Sequence, residues 1–537
     1  MSQPFDLQGS FHVYDTTLRD GAQQEGLNLS VADKLTIARQ LDGLGVGFIE
    51  GGWPGASPKD TEFFRRASQE LDLRHARLAA FGATRRVGIR AADDPQVAAL
   101  RDSGASVVTL VAKSHDRHVE LALRTTLEEN LAMVRDTVSH LRAEGQMVFL
   151  DAEHFFDGYR DNRDYALEVL RTATEAGAEV VALCDTNGGM LPDWVSDVVT
   201  DVIASTGARV GIHAHNDSGC AVANSLAAVA AGATHVQGCI NGYGERTGNA
   251  DLVSVVANLE LKLDRRVLPT GLLREATRIA HAVAEVTNFP PASRQPYVGT
   301  SAFAHKAGLH ASAIKVDPNL YQHMNPVDVG NDMRLLVSDM AGRASIELKG
   351  RELGFDLTDS PEDRELVARV TDRVKAMEQT GYTFEAADAS FELLLVEEVE
   401  GVRPSYFDVE SWRVITETLT HAGPGEEAVS EATVKLVAED VRYVVTGEGN
   451  GPVNALDAAL RTAIGQAFPE VAKFELIDYK VRILDQGHGT DAITRVLIET
   501  SDGASSWVTV GVGHNVIEAS WGALVDGLTF GLRKHHR

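Results

Sequence analysis

Cysteine is scarce. Three thiols in 537 residues, Cys184, Cys220 and Cys239, cannot build a disulfide framework, and none sits in a CxxC pair. That usage fits a reducing cytosol, so a cytoplasmic protein is expected. Long apolar runs are missing too. No stretch approaches the ~18 apolar residues that a membrane span needs. The N-terminal MSQPFDLQGSFHVYD lacks the basic and apolar regions of a signal peptide. Positive charge is in deficit: 50 Lys and Arg stand against 77 Asp and Glu, a net −27. A chain this acidic repels phosphate backbones and anionic lipid surfaces, so neither nucleic acid nor membrane is expected as a partner. What remains is an ordinary soluble composition, 44% hydrophobic and 24% charged, in a chain long enough for two or three domains.

The first 245 residues have a rhythm. Short apolar runs fall at His12–Asp15, Gly47–Glu50, Leu78–Phe81, Val107–Val111, Val148–Asp151, Val180–Asp185, Val210–His213 and Val236–Ile240. They start roughly 30 residues apart, room for one strand, one helix and two loops. Between the first two, Leu35, Ala38, Leu41 and Leu44 follow helical spacing behind Ser30, a candidate N-cap. Eight such units predict an α/β fold, a (β/α)8 TIM barrel. A doubly wound sheet is the competing architecture. Its first turn should carry GxGxxG, whereas the first run here leads into Thr16-Thr17-Leu18-Arg19-Asp20-Gly21.

A barrel keeps its chemistry at the C-terminal ends of its strands. Polar residues gather there: Asp15–Gln23, Asp151–His154, Cys184–Gly188, His213–Asp217 and Asn241–Asp251. His213 and His215 are two apart, so in a strand both face one side. Two imidazoles and a carboxylate such as Asp20 make a first shell for a divalent cation, and N/O ligands suit Mg, Mn or Zn alike. A hydrogen-bonded structural His pair is the competing reading. Arg19 at the same mouth can stabilise an oxyanion or enolate, or form a surface ion pair. Taken alone, Glu153 can be a solvated loop acid and Asn249 a turn residue between Gly248 and Ala250.

Three blocks, DTTLRDGAQ (Asp15–Gln23), HAHND (His213–Asp217) and GYGERTGNAD (Gly242–Asp251), resemble the metal-dependent TIM-barrel synthases that condense acyl-CoA with 2-oxo acids. This is the family of the α-isopropylmalate, homocitrate and citramalate synthases. Glu50–Asp60 and His305–His310 are most similar to the longer citramalate type. The resemblance implies an acyltransferase that joins acetyl-CoA to pyruvate and hydrolyses the thioester, releasing citramalate and CoA. It also implies roles. Asp20, His213 and His215 ligate the metal, with Asn249 a further candidate. Arg19 binds and polarises the 2-oxo acid, and Thr186 bonds its carboxylate. Glu153 joins the acid/base network around acetyl-CoA. His310 and Tyr321, beyond the barrel, assist deprotonation or hydrolysis. Phe81 and Leu110 are candidates for shrinking the pocket to pyruvate, and barrel-core packing is the stronger expectation for both. The rival enzyme readings, isopropylmalate and homocitrate synthase, differ only in the 2-oxo acid. The rival from another class is an inert effector-sensing barrel, and the intact set of polar residues argues against it.

The chain is expected to divide into a barrel (1–270), a linker or lid region (271–380) and a C-terminal α+β regulatory module (381–537). Arg266–Pro290 reads as a helix, and Phe391–Glu397, Glu431–Ala438 and Thr494–Glu499 read as strands. Ser338–Ser345 is similar to a stretch in this region of the family. An internal repeat sets Gly447, Gly449, Ala455, Ala459 and Leu460 64 positions before Gly511, Gly513, Ala519, Ala523 and Leu524. Each copy reads as strand, Gly-rich turn, helix. The resemblance here is to the family's regulatory dimer domain. It implies a homodimer and an isoleucine effector held around Gly447, Gly449, Gly511 and Gly513.

Overall fold

A computed structural model describes residues 11–338, 342–355, 357, 360–417, 429–484 and 492–536. Eight parallel strands close into a barrel in sequence order: β1 (His12–Asp15), β2 (Phe48–Gly52), β3 (Arg77–Ala83), β4 (Val107–Lys113), β5 (Met147–Glu153), β6 (Val180–Asp185), β7 (Val210–Ala214) and β8 (His235–Gly238). β8 returns to β1 with His235 opposite His12. Alternation along each strand sorts the side chains. Tyr14, Phe48, Ala79, Val107, Phe149 and Val180 fill the barrel interior. Val13, Ile49, Ala80, Val108, Leu110, Leu150 and Ile212 point outward into the larger core shared with the helices. Ser30 caps the first helix, Val31–Leu44, by a reciprocal box with Asp33.

The chain divides into two compact units. The first holds residues up to Phe303 together with Met324–Asp332, and the second holds Ala304–His323 and everything from Met333. In the first, the stretch read as one helix over Arg266–Pro290 is a short turn, Leu272–Glu275, followed by a helix over Ala276–Thr287. Pro269 and the left-handed Gly271 (φ 87°) delay its start, and Asn288 (φ 56°) ends it before Pro290.

In the second unit, Ala304–His305 and Arg334–Leu335 form a small parallel pair. Three helices follow, Arg343–Glu352, Pro361–Gln379 and Asp388–Glu400. The last overturns the reading of Phe391–Glu397 as a strand. Its apolar run is buried nearly all round, and a buried helix and a buried strand share that signature until length and the stop at Gly401 (φ 76°) decide. Residues 339–341 of the Ser338–Ser345 stretch lie outside the described residues.

The repeat is real in three dimensions. Two antiparallel sheets, Phe407–Glu417, Val429–Ala438, Val441–Gly449 and Glu475–Ile483, Thr494–Ser501, Ser506–Gly513, each carry a following helix, Pro452–Ile464 or Val516–His536. The paired glycines end the third strand of each copy. A Cβ on Gly511 would lie 1.9 Å from the Ala519 carbonyl oxygen, so this glycine admits the helix backbone onto the sheet. No described helix is long and apolar enough to cross a membrane.

Candidate functional site

Asp15-Thr16-Thr17 forms the scaffold of the mouth. The Asp15 carboxylate accepts from the Thr17 N–H and hydroxyl, each at 2.9 Å, and Thr17 Oγ1 accepts from the Ile240 N–H at 2.9 Å. The loop after β1 is thereby pinned to the end of β8. Burial pushes the Asp15 carboxyl up to about 7, although the bonds from Thr17 pull it down. Leu18 is fully buried, and the next two side chains, Arg19 and Asp20, reach the mouth.

There Asp20 Oδ2 lies 3.1 Å from His213 Nε2 and 3.4 Å from His215 Nε2, and the two Nε2 atoms are 3.2 Å apart. His215 follows the last residue of β7 and is fixed by an isolated bridge to Asn249. The other ring nitrogens are spoken for. His213 Nδ1 meets Gln237 Oε1 at 2.9 Å, and His215 Nδ1 meets the Thr186 carbonyl oxygen at 2.7 Å. Gln237 Oε1 requires a proton on His213 Nδ1, while His215 Nδ1 also lies 2.9 Å from the donor Arg246 Nη2; the two Nε2 atoms face one place. Burial would raise the Asp20 carboxyl, but Arg19 and then the two histidines hold it well below the usual range. Burial would lower His213, and Asp20 wins and raises it. The site draws positive charge inward. Asn249 is 2% exposed; its Nδ2 donates to the Tyr243 carbonyl at 3.0 Å, while Oδ1 is buried without a hydrogen-bond partner. Three converging anionic or lone-pair donors and an orphaned acceptor fit a divalent cation.

Arg19 is clamped from two sides. Its Nε donates to Glu50 Oε2 at 2.5 Å, and its Cζ sits 3.8 Å from the centroid of the Phe81 ring. Glu50, fully buried, also accepts from the Tyr14 hydroxyl at 2.8 Å, which lies 2.6 Å from Thr109 Oγ1. Burial works against the guanidinium charge, but Glu50 and Asp20 raise its pKa above the ordinary value. Thr186 Oγ1 accepts from the His154 N–H at 2.8 Å, which leaves the hydroxyl proton to be donated. His154 itself holds a left-handed backbone (φ 57°).

These groups line one cavity of about 280 Å³ with Trp53, Phe81, Val111, Asp151, Glu153, Cys184, Glu245 and Arg246. Burial, then the charge of Glu50, pushes Asp151 up to about 6. Burial keeps the Cys184 thiol well up and neutral. Of the residues singled out in the sequence, Arg19, Asp20, Phe81, Glu153, Thr186, His213 and His215 meet here, and Asn249 adjoins through His215. Leu110 does not line this cavity. It has the outward parity of β4, is fully buried against the helices, and Val111 takes the lining position. His310 and Tyr321 belong to the second unit, where their rings stack with centroids 4.1 Å apart. Gly447, Gly449, Gly511 and Gly513 lie in that unit too.

Glu50, Asp151, Gln237 and Lys113 were not singled out from sequence. All four are polar residues at inward positions of otherwise apolar strands, a signal that alternation carries once the register is known.

The chain matches the family model HMGL-like over residues 10–283, Homocitrate synthase post-HMGL domain-like over 297–381, and LeuA allosteric (dimerisation) domain over 385–532. An HMG-CoA lyase structure from Bacillus subtilis aligns with TM-score 0.46 at 19% identity, covering 53% of this chain and 96% of that one. An (R)-citramalate synthase of Synechocystis is 49% identical, covering 98% of this chain and 96% of its own length. Another, of Streptomyces coelicolor, is 68% identical, covering 99% of this chain and 98% of its own. Identity of that depth, sustained over both full lengths, places this chain in the citramalate synthase family of acyl-CoA-condensing transferases.

Proposed function

We propose that this chain condenses acetyl-CoA with pyruvate and hydrolyses the thioester, releasing (R)-citramalate and CoA. The observation that carries the reading is the convergence of Asp20, His213 and His215 beside a clamped Arg19 in a small cavity. A 2-oxo acid offers a carboxylate and a ketone, the two groups such a site can hold. Asp20, His213 and His215, with Asn249, would hold a divalent cation, which when bound supplies Lewis-acid polarisation of the ketone.

The protein's own groups do the rest. Arg19, kept cationic by Glu50, binds the 2-oxo acid and stabilises the oxyanion that grows on its ketone oxygen. Thr186 donates its hydroxyl proton to the substrate carboxylate. Glu153 serves the acid/base network that removes a proton from the acetyl methyl group, a weak carbon acid. The methyl carbon then bonds to C2 of pyruvate, the former ketone oxygen takes up a proton, and water cleaves the thioester. His310 and Tyr321 are proposed to assist deprotonation or hydrolysis. Phe81 is proposed to bound the pocket on the substrate's methyl side.

The match to a LeuA allosteric (dimerisation) domain supports a homodimer under feedback control. We propose isoleucine as the effector and isoleucine biosynthesis as the role. A cavity of about 550 Å³ in the second unit, lined by Asn450, Gly451, Asn454, Asp457 and Tyr479, adjoins Gly449 and is large enough to admit an amino acid. The three cysteines, present as thiols, support a cytoplasmic location.

Measuring CoA release from acetyl-CoA with pyruvate, 2-oxoisovalerate and 2-oxoglutarate tests the reading. Pyruvate should give the highest kcat/KM, and preference for either of the others would replace it with the isopropylmalate or homocitrate reaction. Isoleucine added to the full chain should lower turnover.

A further inference from the structure

Metal ligation and 2-oxo acid binding give no role to Lys113, which is paired with Glu153 at the barrel mouth. Lys113 Nζ donates to Glu153 Oε2. The two residues end neighbouring strands and are direct partners in the β4–β5 register. Both have the inward parity of their strands, and Glu153 lines the cavity. The end of β4 is anchored: the Lys113 carbonyl accepts from Asn130 Nδ2 at 2.9 Å, and the fully buried Asn130 also donates to the Tyr165 hydroxyl at 2.8 Å. The side chains are 23% and 26% exposed, so the pair is neither a solvated surface bridge nor a sealed core one. Register and anchoring fix the two backbones opposite each other, so only the side chains remain to be ordered for the pair to form.

We propose that Lys113 is a positioning residue for the acetyl-CoA half of the reaction: it holds Glu153 by Oε2, so that Oε1 is the oxygen presented for proton transfer. The inference rests on the reading of the chain as an acetyl-CoA-condensing enzyme and assigns it a residue. An unheld glutamate samples several rotamers, and only some place an oxygen where a methyl proton can reach it. The other groups facing Glu153 are His118 from the short helix after β4, His154 after β5, Asp151 on β5 itself and Cys184 from β6. Among them Lys113 is the one with a side-chain hydrogen bond to the Glu153 carboxylate among the described contacts.

The test is steady-state kinetics on the metal-loaded full chain carrying Lys113→Met, Lys113→Arg, Glu153→Gln or the Lys113→Met/Glu153→Gln pair. Wild-type CoA release with pyruvate comes first, and its absence would overturn the functional reading and with it this proposal; loss confined to the variants concerns the proposal alone. Lys113→Met should lower kcat at least tenfold and leave the KM for pyruvate and the bound metal unchanged. Lys113→Arg, which keeps charge and donor, should restore most of the loss. The double variant should be no slower than Glu153→Gln alone. Multiplying effects in the double variant, no rescue by Lys113→Arg, or a raised KM for pyruvate in place of a lowered kcat would each overturn the proposal. Thermal melts of each variant separate a folding defect from these outcomes, and Lys113→Arg carries the test if Lys113→Met does not fold.

Discussion

At the residue scale, the candidate metal site is held by what lies behind it. His213 presents Nε2 because Gln237 takes the proton on Nδ1, and Gln237 is turned that way because its own Nε2 donates to Asp151 at 2.8 Å. Replacing Gln237 by Leu removes the acceptor without touching a ligand. Metal affinity should fall by ~10–100-fold, the usual weight of such a partner. His213→Ala, which removes the ligand itself, should abolish both bound metal and CoA release. Metal content after dialysis together with turnover checks both, and turnover retained in His213→Ala would sink the metal reading. The HxH pair and Asp20 were legible in the sequence because strand alternation alone aims two imidazoles at one point. Gln237 was not. Nothing local to Val236-Gln237-Gly238 shows that β8 sets it beside His213, a relation made only by barrel closure.

Asp15 carries a pH signature of its own. Its carboxyl titrates near 7 in the folded chain against 3.8 as its ordinary value, because burial penalises the charge more than Thr17 repays it. Between those values the native state holds a proton that the unfolded state has lost. The cost of ionising Asp15 is therefore absent below pH ~4, grows as pH rises, and is complete above about 7. Asp15→Asn keeps an acceptor for Thr17 and has no charge to bury. The fall in Tm between pH 6 and 8 should be shallower in that variant than in wild type, and equal slopes would refute the shifted titration.

At the element scale, parity along a strand decides between core and pocket. Leu110 and Val111 are neighbours in sequence and face opposite ways. Leu110→Ala should cost about 2–5 kcal/mol of stability, as a buried truncation does, and leave the ranking of 2-oxo acids unchanged. Phe81 is different, because its ring also carries the Arg19 guanidinium at 3.8 Å. Phe81→Leu should lower kcat/KM for pyruvate even where the wider pocket admits a larger substrate, since the cation–π support of ~0.5–2 kcal/mol is lost with the ring. Denaturant melts and a 2-oxo acid panel on the two variants separate the roles. The barrel strands were readable because each is a short apolar run with turns on both sides. The helix at Asp388–Glu400 was not, because burial on nearly every side erases the periodicity that marks a helix, and only its length and Gly401 remained as clues.

At the scale of the whole molecule, the net charge of −27 sets a problem that the site must solve, since acetyl-CoA and pyruvate are both anions. Part of the acidity is locally neutralised: Glu397 and Glu398 pair with Arg373, and Asp201 pairs with Arg163. The remainder acts at long range. The attraction at the mouth comes from Arg19 and from the cation that Asp20, His213 and His215 would hold, over a few ångströms in a largely buried cavity. Salt weakens the first effect far more than the second, because the Debye length is ~30 Å at 0.01 M and ~8 Å at 0.15 M, and a short, shielded contact is less screened than a diffuse field. Raising KCl from about 10 to 150 mM should therefore increase kcat/KM for pyruvate, with the change carried by KM and kcat held nearly constant. A steady fall in kcat/KM over the same range would mean that exposed cations at the mouth, and not buried ones, recruit the substrate, and would shift attention from Arg19 to rim residues such as Arg246.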